Sequence, residues 1–149
     1  MKILLFIFAA ILTGLYEPLT YAAEKDLVLV AANNTEIKEM SPDEVRRLYI
    51  GVPIEVDGHH IDPLVNATNN LVQEIFMQQV LFMSTEVYMR RNVDFSYRKG
   101  EVPPQIYSNL PSLIAALKAN RYAVTYMLRS TAVTIPELKI IAELWRDED

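Results

Sequence analysis

Cysteine is absent from the 149-residue chain, which excludes disulfide frameworks, thiolate zinc sites and thiol nucleophiles together. Glycine is scarce, with four residues at 14, 51, 58 and 100 and no cluster among them. The dinucleotide fingerprint and the P-loop both need clustered glycines to bring backbone up to phosphate, so neither is present. Positive charge is in deficit, with 14 Lys and Arg against 19 Asp and Glu and a net charge of -5. Counterion release requires a basic face, and no nucleic-acid partner is expected. No Gly-x-Ser-x-Gly elbow occurs, and no pair of carboxylates has a spacing that implies acid and base roles. The chain reads as non-catalytic, with no cofactor.

What is present begins with an apolar leader. Lys2 precedes the run from Ile3 to Tyr16, broken only by Thr13 and Gly14, and Thr20-Tyr21-Ala22-Ala23 follows. A basic start, an apolar stretch and small residues before the cut describe a secretory signal peptide over residues 1–22. Cleavage after Ala22 puts Thr20 at the upstream specificity position, whereas cleavage after Ala23 would put Tyr21 there. The run of 14 residues is short of the roughly 20 needed to cross a bilayer. Residues 23–149 are then expected to be one domain, periplasmic or secreted, with no membrane span after cleavage.

Within that domain, Leu27 to Ala31 is a continuous apolar run of the kind buried on both sheet faces. Ser41-Pro42-Asp43-Glu44 opens a helix with Ser as cap, Pro in the first turn and Glu reaching back; Gly51 closes it. Asp57-Gly58 marks a tight turn, and Ile61 to Val65 a short strand near a sheet edge because of Pro63. The spacing predicts a helix over 69–82 and a second one from the Ser84 cap to about Arg91. Phe95 to Pro104 reads as a loop. A helix capped by Ser108 runs to Asn120, and strands follow at 122–128 and 138–144. Strands alternating with helices imply an α/β sheet with parallel pairs.

In this order, Leu48-Tyr49-Ile50-Gly51, Asp57-Gly58 and Pro63-Leu64-Val65 resemble a run of phosphate-type periplasmic substrate-binding proteins. Phe76, Leu81, Met83-Ser84 and Tyr88 are similar to the family's next helical segment. Phe95, Arg98, Gly100 and Pro103-Pro104 are similar to its Gly-rich loop. Residues 108–126 resemble the helix and strand that end in its "GAIGY" motif. The resemblance implies a single periplasmic-binding-protein-like lobe, with a mixed, mostly parallel sheet flanked by helices. It also implies solute or anion binding for uptake or sensing. Several positions depart from the family. Its basic "R-s-G-T" ligand loop is Asn66-Ala67-Thr68-Asn69-Asn70 here, Gln73 stands where short relatives carry Arg, and Tyr97, Tyr122 and Thr125 replace glycines. The fold transfers with the resemblance; phosphate binding does not.

Two loops are candidate ligand contacts. Asn66, Thr68, Asn69 and Asn70 follow a strand and open a helix, where free N–H groups favour an anion; simple helix capping is the competing use. Asn33, Asn34 and Thr35 leave the first strand, where open α/β sheets place ligands. Arg90, Arg91, Arg98 and Lys99 form the basic patch of an acidic chain, a candidate docking surface for an envelope transporter or sensor. His59-His60-x-Asp62 reads as a solvated turn, since adjacent histidines seldom converge on one ion and no third imidazole exists. A single lobe cannot close over a ligand, so affinity is expected to be modest.

Overall fold

The computed structural model describes residues 25–148; the signal peptide expected at 1–22 lies outside them. The elements run in the order β1 (Leu27–Ala32), α1 (Pro42–Tyr49), β2 (Glu55–Val56), β3 (His59–His60), β4 (Asp62–Pro63), β5 (Val65–Asn66), α2 (Asn70–Ile75), α3 (Thr85–Lys99), β6 (Ile106–Tyr107), α4 (Leu110–Ala119), β7 (Ala123–Leu128), α5 (Arg129–Ala132) and β8 (Leu138–Trp145). Every residue of β1 is buried, because this strand lies inside a four-stranded sheet of order β4-β7-β1-β8. Its side chains alternate between two cores. Leu27, Leu29 and Ala31 face α1, the α2 region and Tyr88 of α3. Val28 and Val30 face Leu113 and Leu117 of α4 and Ala132 of α5. Helices thus cover both faces of a mixed sheet.

The direction of the strands departs from the expected mostly parallel sheet. β1 pairs antiparallel with both β7 and β8, and among the described residues parallel pairing is confined to β4 with β7 and β5 with β6. An apolar run buries equally well in either direction, and the ladder bonds that distinguish the two belong to the backbone. Residues 61–65 hold one continuous path split between partners. Asp62 donates to Tyr122, just before β7, and Leu64 to Val124 of β7, while Val65 and Ala67 donate to Gln105 and Tyr107. Pro63 falls on the side where β6 has not yet begun, so its missing donor interrupts no ladder.

Local signals set the helix starts. Ser41 Oγ accepts from Glu44 N–H at 3.2 Å, and Glu44 Oε2 accepts from Ser41 N–H at 2.8 Å, a reciprocal cap. Asn109, one residue later than expected, caps α4 by accepting from Ser112 N–H at 3.0 Å. The segment after α2 departs from regular helix. Phe76–Val80 forms a π-helical turn, with Leu81 N–H donating to Phe76 O at 3.1 Å. α3 runs to Lys99 rather than stopping near Arg91, so residues 95–99 are helix, not loop. Arg98, Lys99 and then Gly100 at φ 64° are a helix C-terminus, with cations in the last turn and a left-handed residue after it. Phe95 holds this extension in place through Gly51. At φ 101°, Gly51 brings its backbone so near that an added Cβ would stand 3.0 Å from the Phe95 ring.

Candidate functional site

β5 and β6 run parallel, and each leads within four residues into a helix, α2 or α4. Their helix starts therefore open side by side. Residues of the β5–α2 turn (Asn66, Thr68, Asn69), of the β6–α4 turn (Ser108, Asn109) and of the β7–α5 corner (Thr131) line a cleft of about 320 Å³. Asn66 is its buried hinge. The Asn66 amide donates to Tyr126 O at 2.8 Å, and its Oδ1 accepts from the N–H and hydroxyl of Thr68 at 3.0 and 2.6 Å. Asn69 Oδ1 accepts from Leu71 N–H at 2.9 Å and Val72 N–H at 3.4 Å as the cap of α2. Asn70 is exposed in the first turn.

This wiring separates the loop residues by role. Asn66→Ala should lower unfolding free energy by about 2–3 kcal/mol, because it leaves the buried Tyr126 carbonyl and Thr68 donors unmatched. Asn70→Ala should change it by less than about 0.5 kcal/mol, as exposed substitutions generally do. Urea unfolding of the two variants checks the difference; equal losses would contradict it.

Asn33, Asn34 and Thr35 lie elsewhere. β1 runs opposite to β7, and β7 is parallel to β4, so the exit of β1 and the exit of β5 fall at opposite ends of the sheet. Six strand residues span about 20 Å, beyond the reach of one small solute. Asn33 donates to Pro136 O at 2.5 Å and Thr35 Oγ1 accepts from Ile37 N–H at 3.1 Å, while Asn34 is exposed. The first and third of these side chains tie down the turn after β1.

The four basic residues all sit on α3. Arg90 pairs with Glu86 at 2.7 Å, and Lys99 Nζ lies 5.2 Å from the Phe95 ring centre. Arg98 is exposed. Ser96 and Lys99 also form a Ser-x-x-Lys sequence. It falls in the last turn of the helix, where the carbonyl-end dipole opposes the anion that a serine nucleophile must generate. The histidines diverge: His59 stacks on Tyr122 with ring centres 4.5 Å apart, and His60 Nε2 stands 3.3 Å from Glu55 Oε1.

Arg91 instead lines a larger cavity of about 500 Å³, bounded by the 48–53 turn, β4, Phe95 and residues 101–105. Asp62 borders it, and partial burial pushes its carboxyl above the usual range against the opposing hydrogen bond from Asn120. No motif announces this space, because it is made by Gly51 meeting Phe95 across the fold. Three buried tyrosines each bond a backbone carbonyl in the core. Tyr88 hydroxyl donates to Tyr49 O at 3.1 Å, Tyr49 hydroxyl to Leu64 O at 2.8 Å, and Tyr126 hydroxyl to Asn66 O at 3.1 Å.

No protein-family model matches the chain, and no curated protein matches it. Among solved structures, it is similar to an ABC-type phosphate transport receptor from Vibrio cholerae, with a TM-score of 0.57 and 12% identity. The match covers 79% of this chain and 46% of the receptor, so the chain spans about half the receptor's length. At that identity the likeness concerns the fold. The architecture is that of a single periplasmic-binding-protein-like lobe, a mixed sheet flanked by helices.

Proposed function

We propose that this chain is an exported, non-catalytic recognition protein of the phosphate-type substrate-binding class. It acts in the periplasm after loss of residues 1–22 and holds a small polar solute or anion for uptake or sensing. The observation that carries the reading is the cleft shared by the starts of α2 and α4, walled by Asn66, Thr68, Asn69, Ser108, Asn109 and Thr131. With Leu71, Val72 and Ser112 N–H held by the caps, these side chains and the first amides of the two helices are what meets a polar solute. Asn66, Thr68, Asn69 and Asn70 would contribute from one side, Ser108 and Asn109 from the other. The resemblance to the phosphate-type family supports the class but not phosphate as ligand. The nearby Arg129 is engaged by Glu143 at 2.7 Å and by Asp26 at 3.8 Å. A neutral or singly charged solute suits carboxamide and hydroxyl walls better than a dianion does. One open wall gives a dissociation constant of about 1 mM, because a solvated solute face contributes little.

The test is a titration of residues 23–149, isotopically labelled, with phosphate and with neutral and singly charged polar solutes, followed by amide NMR. Shifts confined to 66–70 and 108–110, larger for the latter solutes than for phosphate, are expected. If none of the panel moves those amides at about 10 mM, tenfold above the expected constant, solute recognition in the cleft is overturned. A second reading, docking on an envelope transporter or sensor, is favoured by the concentration of cations on α3.

A further inference from the structure

The eight large apolar side chains exposed on the described surface are unevenly placed: Val87, Val93 and Tyr97 lie on α3, and Val102 and Ile106 in the segment that follows it. Tyr97 is 87% exposed and Val93 56%. Between α3 and residues 103–106 lies a groove of about 370 Å³, whose floor includes Met89, Val93, Pro104 and Ile106. Val93, Tyr97 and Ile106, each exposed, therefore meet at one groove.

The groove ends on an open strand edge. Val65 N–H donates to Gln105 O at 2.9 Å and Ala67 N–H to Tyr107 O at 2.8 Å, so residues 105 and 107 face β5. Alternation along a parallel strand turns the N–H and C=O of Ile106 to the opposite side, where they make no bond among the described residues. An edge of this kind accepts an added strand, whose alternate side chains then drop into adjacent pockets. Charge selects the partner. α3 carries Arg90, Arg91, Arg98 and Lys99 against Glu86 and Asp94, in a chain whose net charge is -5.

We propose that this surface docks an extended segment of a partner protein in which apolar and acidic residues alternate. The segment pairs through its main chain with Ile106, sets its apolar side chains against Val93, Tyr97 and Pro104, and leaves its carboxylates on the outer face, within the positive field of Arg90, Arg91, Arg98 and Lys99. The site is separate from the solute cleft and stands whether or not that cleft binds a ligand. A lipid surface is the less suitable occupant, because a concave groove beside an unpaired strand matches an extended chain rather than a plane.

The probe is an end-capped eight-residue peptide alternating valine and glutamate, with its valine–lysine counterpart as control, titrated into residues 23–149. Binding of the glutamate peptide should slow hydrogen exchange at the Ile106 amide and shift α3 signals from Met89 to Tyr97. Raising salt from about 50 to 500 mM should weaken it by about tenfold, as expected of paired charges near a surface. Arg98→Glu with Lys99→Glu should weaken it similarly. Ile106→Pro removes a donor that no β5 bond uses, and Tyr97→Ser alters an exposed ring; either should abolish binding with the thermal transition retained. The proposal is overturned if the lysine peptide binds equally or if the Ile106 amide keeps its exchange rate at saturating peptide. It is equally overturned if the chain binds vesicles of phosphatidylglycerol and phosphatidylcholine but not the peptide.

Discussion

Phe76→Ala is expected to lower unfolding free energy by about 4–5 kcal/mol, the upper end of the range for deleting a buried aromatic ring. Phe76 is fully buried in the π-helical turn after α2. Its ring stacks on Tyr126 with centres 3.6 Å apart and meets Tyr49 edge-on at 4.7 Å. The cost of a cavity depends on how far its walls collapse, and here they are tethered. Tyr126 is held by its hydroxyl bond to Asn66 O and Tyr49 by its bond to Leu64 O. Neither ring can slide into the void without breaking a buried hydrogen bond. Domains of this size are stable by roughly 5–15 kcal/mol, so one substitution removes about a quarter or more of the total. Tyr126→Phe keeps the ring and deletes only the hydroxyl bond, for which about 1 kcal/mol is expected. Urea unfolding at neutral pH compares the two. The alanine variant should also speed hydrogen exchange at Thr68, whose N–H is held by Asn66 Oδ1, since Asn66 is itself tied to Tyr126 by two hydrogen bonds. A loss under about 2 kcal/mol would mean that the walls relax despite their tethers.

The division between what the sequence reveals and what it hides follows the range of the forces involved. The α1 cap is complete within Ser41 to Glu44, and both of its bonds form as expected. The burial of Leu27–Ala32 is equally visible, because hydrophobicity is a property of the residues themselves. Strand direction is not, and it decides the site. With β1 antiparallel to β7, the Asn33–Thr35 turn goes to one end of the sheet and Asn66–Asn70 to the other. The residues that share the cleft with Asn66 and Asn69, Ser108 and Asn109, are brought there by the pairing of β5 with β6, which two residues per strand barely encode. The end of α3 is a subtler case. The polar sequence after Phe95 suggests a loop, yet the helix continues because Phe95 finds Gly51, far away in the chain.

Stability should fall steeply above about pH 10, by as much as 4 kcal/mol per pH unit from three phenols. Tyr49, Tyr88 and Tyr126 are all fully buried, and burial is the leading cause that raises each above the ordinary value of 10.0. The neighbouring phenols act in the same direction, Tyr126 and Tyr88 on Tyr49 and Tyr88 on Tyr126, while the Asn92 hydrogen bond and the Arg91 charge partly offset the rise at Tyr88. The sign follows from the raised values. Below pH 10 the phenols are neutral in both states and the fold keeps its full stability. Above it the unfolded chain releases three protons that the folded chain retains, so unfolding gains free energy with every unit. Unfolding free energy measured by urea at intervals from about pH 8 to 11.5, with phenolate absorbance rising in the same transition, checks the slope. Lysines deprotonate in the same interval, and Tyr88→Phe separates the two contributions. That variant loses the bond to Tyr49 O and should start about 1 kcal/mol lower at neutral pH. It also lacks one titrating phenol, so it should gain on the parent by up to about 1.4 kcal/mol per unit above pH 10. The two stability curves should therefore cross within about one to one and a half units. Parallel curves would show that Tyr88 ionises freely in the folded protein, which would contradict its burial and its hydrogen bond to Tyr49 O.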